Sequence, residues 1–350
     1  MVFINSYNCI SAQETFEDKH AIFNDPLEIK QGKYIAKEPK YGDSIPKNIL
    51  RRMGKVCRIG SRTALETINN SNTKFDGVIV GSGYGDMAQC YKFLDQIIRY
   101  EEGNLTPTNF VNASPNILAG TIALGQSNRG FNSTHFHKGT AFYNALFDAT
   151  LQMEMGTANN IIVGAADEIS NYYYRIQELI RPFRKEVGSM NEYYDSKESG
   201  FIPGESSVFF GVSNQKTDQS LCEISNMDTR FSLEENELKT WVNSFLEQSN
   251  VSIEGIDTIV TGENGCRVDR VSYLAFQEMF SSDINHFRTK HYFGESPNAI
   301  GISLWTLCYF IEFGKLPEHF TKKLNNKPSK LSLLYNHYSG NYHQLILVKS

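Results

Sequence analysis

The chain has 350 residues, of which 40% are hydrophobic, and a formal net charge of −5. This acidic balance, without a basic stripe to neutralise a phosphate backbone, argues against a nucleic-acid binder. No stretch approaches the roughly 18 apolar residues of a membrane helix, and the N-terminus lacks the pattern of a signal peptide, so we expect a cytoplasmic protein without a membrane span. Six scattered cysteines without metal-ligand spacing predict reduced, mostly buried thiols and no metal site.

The first 80 residues predict a strand, an irregular segment, a helix and a second strand. Residues 2–4 are typical of a short first strand that leads into a polar turn over 6–11. The charged segment 14–46 contains proline and glycine and carries no catalytic signature. The pattern from 49 to 65 predicts a helix, and the run GVIV at 77–80 predicts a buried strand.

A glycine-rich segment, GSGYG, follows this strand at residues 81–85. Its spacing differs from the GxGxxG pattern of dinucleotide-binding proteins, and no acidic residue ends a following strand. We therefore expect no nucleotide cofactor.

The segment 130–168 combines a small-residue turn, a helix and a buried strand. The helix opens at Gly139-Thr140-Ala141 and is too apolar to be wetted along one side, so we expect it to be largely buried. The run IIV at 161–163 predicts a strand covered on both faces that ends in a close-packed bend. The start of such a helix is where α/β enzymes place a nucleophile, because the helix N-terminus stabilises negative charge.

The rest of the chain repeats a strand-helix-strand rhythm. The segment 200–210 reads as a tight turn before an apolar strand, and a plain hairpin does not explain its glutamate, Glu205. A strand is then expected at 222–227, a helix at 233–248 and a strand at 256–260. This rhythm by itself indicates only a layered α/β protein.

These motifs resemble those of the β-ketoacyl synthases, members of the thiolase-fold condensing enzymes. In that family a Gly-Pro-Asn/Ser turn lies nine residues before the active cysteine, and a Gly-Asp-Ala-Asp motif and a Val-Ala-Gly-Gly-x-Glu strand end follow it. Gly130 aligns with the turn, Gly156 with the second motif and residues 164–168 with the strand end. The register is therefore fixed on both sides and places Gly139 at the cysteine.

The resemblance also implies the fold class. The loop at 105–116 and the segment 200–210 match further motifs of the family, so nearly the whole chain is covered. We expect an α/β protein with a thiolase-like fold, built of two pseudo-repeated βαβ halves in a layered α/β/α/β/α arrangement. The halves are expected at residues 1–215 and 216–350 and should form one compact unit.

By this resemblance the chain lacks all three catalytic side chains of an active synthase. Active members use a cysteine thiolate to hold the acyl chain and two histidines to bind malonyl carboxylate and stabilise the enolate. Gly139 stands at the cysteine, Thr261 at the first histidine and Glu295 at the second, whereas the family's lysine is retained as Lys290. A carboxylate at 295 would repel malonyl, and we expect Lys290 to pair with Glu295 or another buried acid.

The degenerate pattern resembles the catalytically silent chain-length factors of type II polyketide, aryl-polyene and flexirubin-type pathways. It implies pairing with an active ketosynthase, and contact with an acyl carrier protein, through an edge strand expected at 129–135. Bulky Tyr338 and Tyr342 on the loop that gates acyl entry in the family predict a filled cavity. The residues expected at the substrate tunnel or the interface are Phe110, Asn112, Phe136, His135 and His137.

Two other functions remain open on the sequence. The chain could be a repurposed acyltransferase or lyase that uses His135, His137 or Glu295, although two histidines at this spacing are more often packed side chains than metal ligands. Cys266 is a further candidate nucleophile, but nothing in the sequence pairs it with a histidine. A homodimeric scaffold or a docking protein for an acyl carrier is the third hypothesis.

Overall fold

The computed structural model describes residues 1–24, 32–42, 44–71, 73–185, 190–195, 199–325 and 328–350. In these residues the strands are β1 Val2–Ile10, β2 Gly77–Ser82, β3 Phe131–Phe136, β4 Asn160–Asp167, β5 Ser206–Ser213, β6 Cys222–Phe231, β7 Thr258–Thr261, β8 Asn285–Arg288, β9 Thr321–Lys323, β10 Leu331–Tyr338 and β11 Tyr342–Lys349. The α-helices are α1 Lys47–Leu50, α2 Lys55–Asn69, α3 Met87–Arg99, α4 Pro107–Asn112, α5 Ile117–Gly125, α6 Ala141–Glu154, α7 Asn171–Ile180, α8 Met190–Asp195, α9 Glu235–Gln248, α10 Arg270–Gln277, α11 Lys290–Phe293 and α12 Ala299–Phe313. Short 3-10 helices cover Lys19–Phe23, Ile253–Gly255 and Glu318–Phe320.

The strand order shows that the two halves repeat one topology. The first five strands lie in the order β3-β2-β4-β5-β1, and the second half follows with β6-β11-β10-β7-β8 and an added β9. Strands β3, β2 and β4 are parallel in the first half, as are β8, β7 and β10 in the second, and the two strands of each half nearest the junction pair antiparallel. Strands β1 and β6 join the halves through a short antiparallel ladder. The predicted boundary at 215/216 falls between β5 and β6.

Alternating side chains on the strands separate the layers. On β2, Val78 and Val80 face an outer cluster with α2 and α5, whereas Ile79 faces a central cluster. On β10, Leu333 faces the outer cluster with α9 and α10, and Leu334 faces the same central cluster. Helices α6 and α12 lie between the two halves of the sheet, which confirms the layered α/β/α/β/α arrangement.

Helix α12 is the centre of the molecule. All of its residues from 299 to 310 are buried, and it contacts both β1 and β5 of the first half and β7 and β10 of the second. A helix that is apolar all round requires burial on every side, and only the space between two sheet halves provides it here.

Several expectations of local structure are confirmed, and others are wrong. The helix expected at 233–248 and the strand after residue 77 occur as predicted. The first strand is longer than predicted, because the residues from Ser6 to Ile10 also pair with β5. Ser6 is polar but buried, and its hydroxyl donates to the Thr67 carbonyl of α2 at 2.9 Å. The helix expected at 49–65 is two helices, broken at Gly54, where a Cβ would lie 1.5 Å from the Asp86 carboxyl group.

Candidate functional site

The position expected for a nucleophile is occupied by buried Gly139, just before α6. A Cβ built on Gly139 would lie 2.4 Å from the Cβ of Tyr338 and 2.7 Å from its Cγ, closer than real side chains approach. The Gly139 carbonyl accepts a hydrogen bond of 2.5 Å from the Gln344 amide. The space in front of the helix is therefore filled by Tyr338, and no nucleophile is present at its start.

Tyr338 ends β10 and is 3% exposed. Its hydroxyl accepts a hydrogen bond of 2.6 Å from Nη1 of Arg181 and also contacts the Tyr84 hydroxyl. The Arg181 guanidinium lies 4.4 Å from the centre of the Tyr338 ring and 4.5 Å from that of Phe201. Burial raises the pKa of Tyr338 to about 12, so its hydroxyl stays neutral.

Only a small cavity remains beside these side chains. Its volume is about 20 Å³, enough for roughly one water molecule and far below that of a ligand pocket. Its lining includes Tyr84, Tyr173, Arg181, Phe201, Glu295 and Pro297. Tyr338 thus fills the cleft as predicted, whereas Tyr342 lies away from Gly139, with its ring against Phe231 and His137.

The retained lysine and the glutamate at the second histidine position form a buried ion pair. Lys290 Nζ lies 2.8 Å from Glu295 Oε2, and each side chain is 1% exposed. The Asn264 amide donates to the same carboxylate oxygen at 2.8 Å and to Asp269 at 2.7 Å. Burial lowers the pKa of Lys290, and the nearby Glu295 opposes that shift. The pairing of Lys290 with Glu295 is therefore confirmed.

Thr261, at the first histidine position, is tied to the neighbouring strand. Its Oγ1 lies 2.7 Å from Nε2 of His286, and Thr261 is fully buried. Burial holds the pKa of His286 well below its usual value, so the imidazole is neutral. No sequence motif marks His286. It lies on β8, two residues from the position that pairs with Thr261.

The residues of the repurposed-enzyme hypothesis have separate partners. His135 Nε2 lies 2.8 Å from the Asp148 carboxylate, and His137 Nδ1 lies 2.8 Å from the Thr140 hydroxyl. Cys266 is 3% exposed.

Among the described residues, no group of three or more histidine, cysteine, aspartate or glutamate side chains could hold a metal ion. No helix of the described chain has the length and apolar character needed to span a membrane.

An apolar groove of about 620 Å³ lies between α3, α4 and α5. Phe110 is 63% exposed in this groove, and its ring packs 5.2 Å from that of Phe93. Asn112 is not part of the lining: it is buried and donates a hydrogen bond of 2.5 Å to the Arg52 carbonyl. This hydrogen bond holds the end of α4, and a tunnel or interface role for Asn112 stays a prediction.

The same side of the first half presents an unpaired strand edge. Among the strands that the structure describes, β3 pairs with β2 alone, and its two ends carry exposed aromatic rings, Phe131 and Phe136. Helices α5 and α6 flank this strand. The outward face of α6 exposes Phe147, Leu151 and Met155 at helical spacing. We call β3, α4, α5 and the outward face of α6 the edge face; exposed strand edges and large apolar patches mark interaction surfaces.

The structure buries three carboxyl groups that the sequence did not predict, those of Asp86, Asp167 and Glu168. Asp167 and Glu168 directly follow an apolar run. Asp167 accepts hydrogen bonds of 2.9 to 3.1 Å from the Ser82 hydroxyl and from the Gly83 and Tyr84 amides, and burial raises its pKa to about 7. Burial and the neighbouring Asp86 raise the pKa of Glu168 to about 8. These acids support the glycine-rich end of β2.

Glu205, which the sequence singled out, has a structural role. Its carboxylate oxygens accept hydrogen bonds from the Ala36 and Ile169 amides and contact Lys55 at 2.5 Å. One side chain thereby fixes the segment after β4, the approach to β5 and the start of α2.

Comparisons with known proteins bear on the fold. Residues 30–183 match the family model described as beta-ketoacyl synthase, N-terminal domain, whereas no curated protein sequence matches the chain. The ishigamide ketosynthase/chain length factor has a TM-score of 0.80 at 13% identity, covering 100% of this chain and 99% of that one. A beta-ketoacyl synthase from Burkholderia phymatum STM815 has a TM-score of 0.80 at 13% identity, covering 99% and 98%. A ketosynthase in complex with its chain length factor from Xenorhabdus doucetiae has a TM-score of 0.75 at 12% identity, covering 99% and 97%.

Proposed function

Because the chain is β-ketoacyl synthase-like and has the thiolase-like fold along its whole length, we propose that it is a non-catalytic, chain-length-factor-type subunit that pairs with an active ketosynthase. The observation that carries this proposal is the occupation of the cleft by Tyr338 in front of Gly139. Without a thiolate at 139 the chain has no group that could hold an acyl chain at the start of α6.

The polar groups of the former cleft support the same proposal. A condensing site needs donors that stabilise the enolate oxyanion, and these must point into a space that the substrate can enter. Here Thr261 is bonded to His286, and Glu295 is neutralised by Lys290 in a region where each side chain is 1% exposed. Thr261 and Glu295 are therefore engaged with side chains of this chain, and neither supplies the histidine donor of a condensing site.

The edge face is the proposed site of the ketosynthase partner. Permanent complexes bury more than about 2,000 Å² of surface, and an apolar face with an unpaired strand is suited to such an interface. One structural neighbour is a ketosynthase with its chain length factor, and another is a ketosynthase with an acyl-carrier protein. We extend both partners to this chain. The described cysteines are free, which suits the reducing cytoplasm as its compartment.

A role in setting chain length would act through the groove on the edge face. Phe110 projects there and would line the far end of the partner's acyl tunnel, and exposed Phe136 at the end of β3 is a second candidate. In the complex with its ketosynthase, Phe110→Ala should lengthen or broaden the product distribution, because the shorter side chain extends the apolar space. Mass spectrometry of the products measures this.

The matched control for this prediction is Val268→Ala, since Val268 is 74% exposed and lies outside the groove. Its products should keep the parent length. Unchanged product length with Phe110→Ala in a verified heterodimer would refute the chain-length role. The hypothesis of a silent partner subunit would still stand.

The isolated chain should remain unmodified after incubation with acyl-CoA or an acyl carrier protein. The physical reason is the absence of an accessible nucleophile at the start of α6, and intact-protein mass spectrometry provides the measurement. A stable acyl adduct on any residue would favour the repurposed-enzyme hypothesis instead.

A homodimeric scaffold is the second candidate, because the open edge of β3 could pair with the same strand of a second copy. Co-expression with a neighbouring ketosynthase and mass measurement of the complex separates the two assemblies. A complex of two different chains supports the first proposal, and a pair of identical chains supports the second.

A further inference from the structure

We infer that Tyr338 is an internal occupant of the former acyl cleft, held there by Arg181, and that position 139 is kept as glycine by the packing of this tyrosine. The inference deepens the proposed function, because it explains why the cleft of a silent subunit stays closed. It rests on that proposal only in identifying the cleft, since the contacts themselves belong to this chain.

The first argument is steric. Three carbon atoms of Tyr338, its Cβ, Cγ and Cδ1, lie 2.4, 2.7 and 2.9 Å from the place of a Cβ on residue 139. Even alanine would therefore overlap with Tyr338, and the backbone of residue 139 is itself held by Gln344. A cysteine and this tyrosine conformation exclude one another, so loss of the nucleophile and filling of the cleft form one structural change.

The second argument concerns what holds the ring. Arg181 follows the last residue of α7, and its guanidinium lies between the rings of Tyr338 and Phe201 while donating to the Tyr338 hydroxyl. This arrangement combines a charge-assisted hydrogen bond with two cation–π contacts. Tyr338 therefore fills the cleft as a bound phenol would, and its position depends on a residue 157 positions away in sequence.

The third argument is the space that is left. With the ring in place, the cavity measures about 20 Å³. Removing the side chain would open a space of phenol size that still contains the Arg181 donor. The chemical class of ligand that fits this space is a small phenol.

The test is a double-substitution cycle on the isolated chain, monitored by thermal unfolding. Gly139→Ala should lower Tm by at least about 3 °C in the parent, and most of this loss should vanish in Tyr338→Gly, which removes all three contacting atoms. Tyr338→Ala would not serve, because it retains the Cβ. If Gly139→Ala does not fold, recovery of folded protein in the double variant is the equivalent readout.

Two controls separate the contacts. Tyr338→Phe retains the three carbon atoms, so Gly139→Ala should cost as much in this background as in the parent. Gly120→Ala, at a helical glycine with no atom near the added Cβ, should not lower Tm. An equal penalty for Gly139→Ala in the Tyr338→Gly and parent backgrounds would overturn the steric part of the inference.

The occupant itself is tested with p-cresol, the side-chain analogue of tyrosine. It should raise the Tm of Tyr338→Gly in a saturable manner and leave the parent unchanged. The absence of such a shift would overturn the assignment of Tyr338 as an occupant. Neither measurement involves a partner or a product, so a failure here is distinct from a failure of the proposed function.

Discussion

At the scale of single residues, Lys290 and Glu295 form a buried ion pair. Their charges are so deeply buried that each depends on the other, and removing one leaves the other uncompensated. Lys290→Met should therefore cost about 3–5 kcal/mol of unfolding free energy. Denaturant titration measures this loss.

The control for this prediction is the double variant Lys290→Met/Glu295→Leu. It removes both charges and should regain most of the lost stability, because apolar side chains suit this position. A double variant as unstable as Lys290→Met would show that the cost comes from packing and not from an unpaired carboxylate.

Asp167 should make the stability depend on pH. Its pKa is raised from its ordinary value of 3.8 to about 7 by burial, so the folded chain retains a proton that the unfolded chain releases within this range. Stability should therefore fall as pH rises from about 4 to 7 and level off above that range. Asp167→Asn, which keeps an acceptor oxygen for Ser82, should reduce this slope.

Urea unfolding at pH 5 and pH 8 measures this effect as the difference between parent and variant. Glu168 titrates in both proteins, so its contribution cancels in the comparison. An identical change in stability between the two pH values in parent and variant would contradict the assignment to Asp167.

At the scale of elements, a substitution on the outward side of α6 tests whether the edge face binds the partner. Leu151 is 38% exposed there, between Phe147 and Met155. Leu151→Arg should weaken the proposed heterodimer at least tenfold, since a charge would be buried in an apolar interface without a partner. Analytical ultracentrifugation of the complex gives the measurement.

Val268→Arg places the same charge on another exposed apolar site and should leave association unchanged. If both variants associate as the parent does, α6 does not contribute to the interface. The folded state of each variant is checked by its thermal unfolding.

The elements that could be predicted from sequence are those whose pattern depends on neighbours along the chain. The helix expected at 233–248 has its own periodicity, and the structure places it at Glu235–Gln248. Strand β1 was predicted too short, because Ser6 and Asn8 are polar and only their burial in the sheet shows that they belong to a strand. The break at Gly54 depends on Asp86, which is distant in sequence.

The same reason limits prediction of the site. The spacing from Gly130 located Gly139, and two further motifs located Thr261 and Glu295. The comparisons confirm the resemblance on which these assignments rest. The contact of Arg181 with Tyr338, in contrast, joins two side chains with no shared motif. No spacing rule relates such residues, so this contact could be found only in the folded chain.

At the scale of the whole molecule, the repeated topology makes the two sheet ends directly comparable. Strand β3 of the first half occupies the place that β8 occupies in the second. Within the described strands, β8 is covered by β9, a three-residue strand that carries Lys322 and Lys323, and β3 has no such neighbour. Short, charged strands are a common means of discouraging further pairing.

The molecule therefore has a valence of one for sheet extension. When the open β3 edge meets another open edge of this kind, both are used and no further edge remains, whereas the lysine-bearing end offers only a short strand. Growth by strand addition would stop at two subunits, and a fibre, which needs two usable ends on every copy, is disfavoured by the short, charged strand β9.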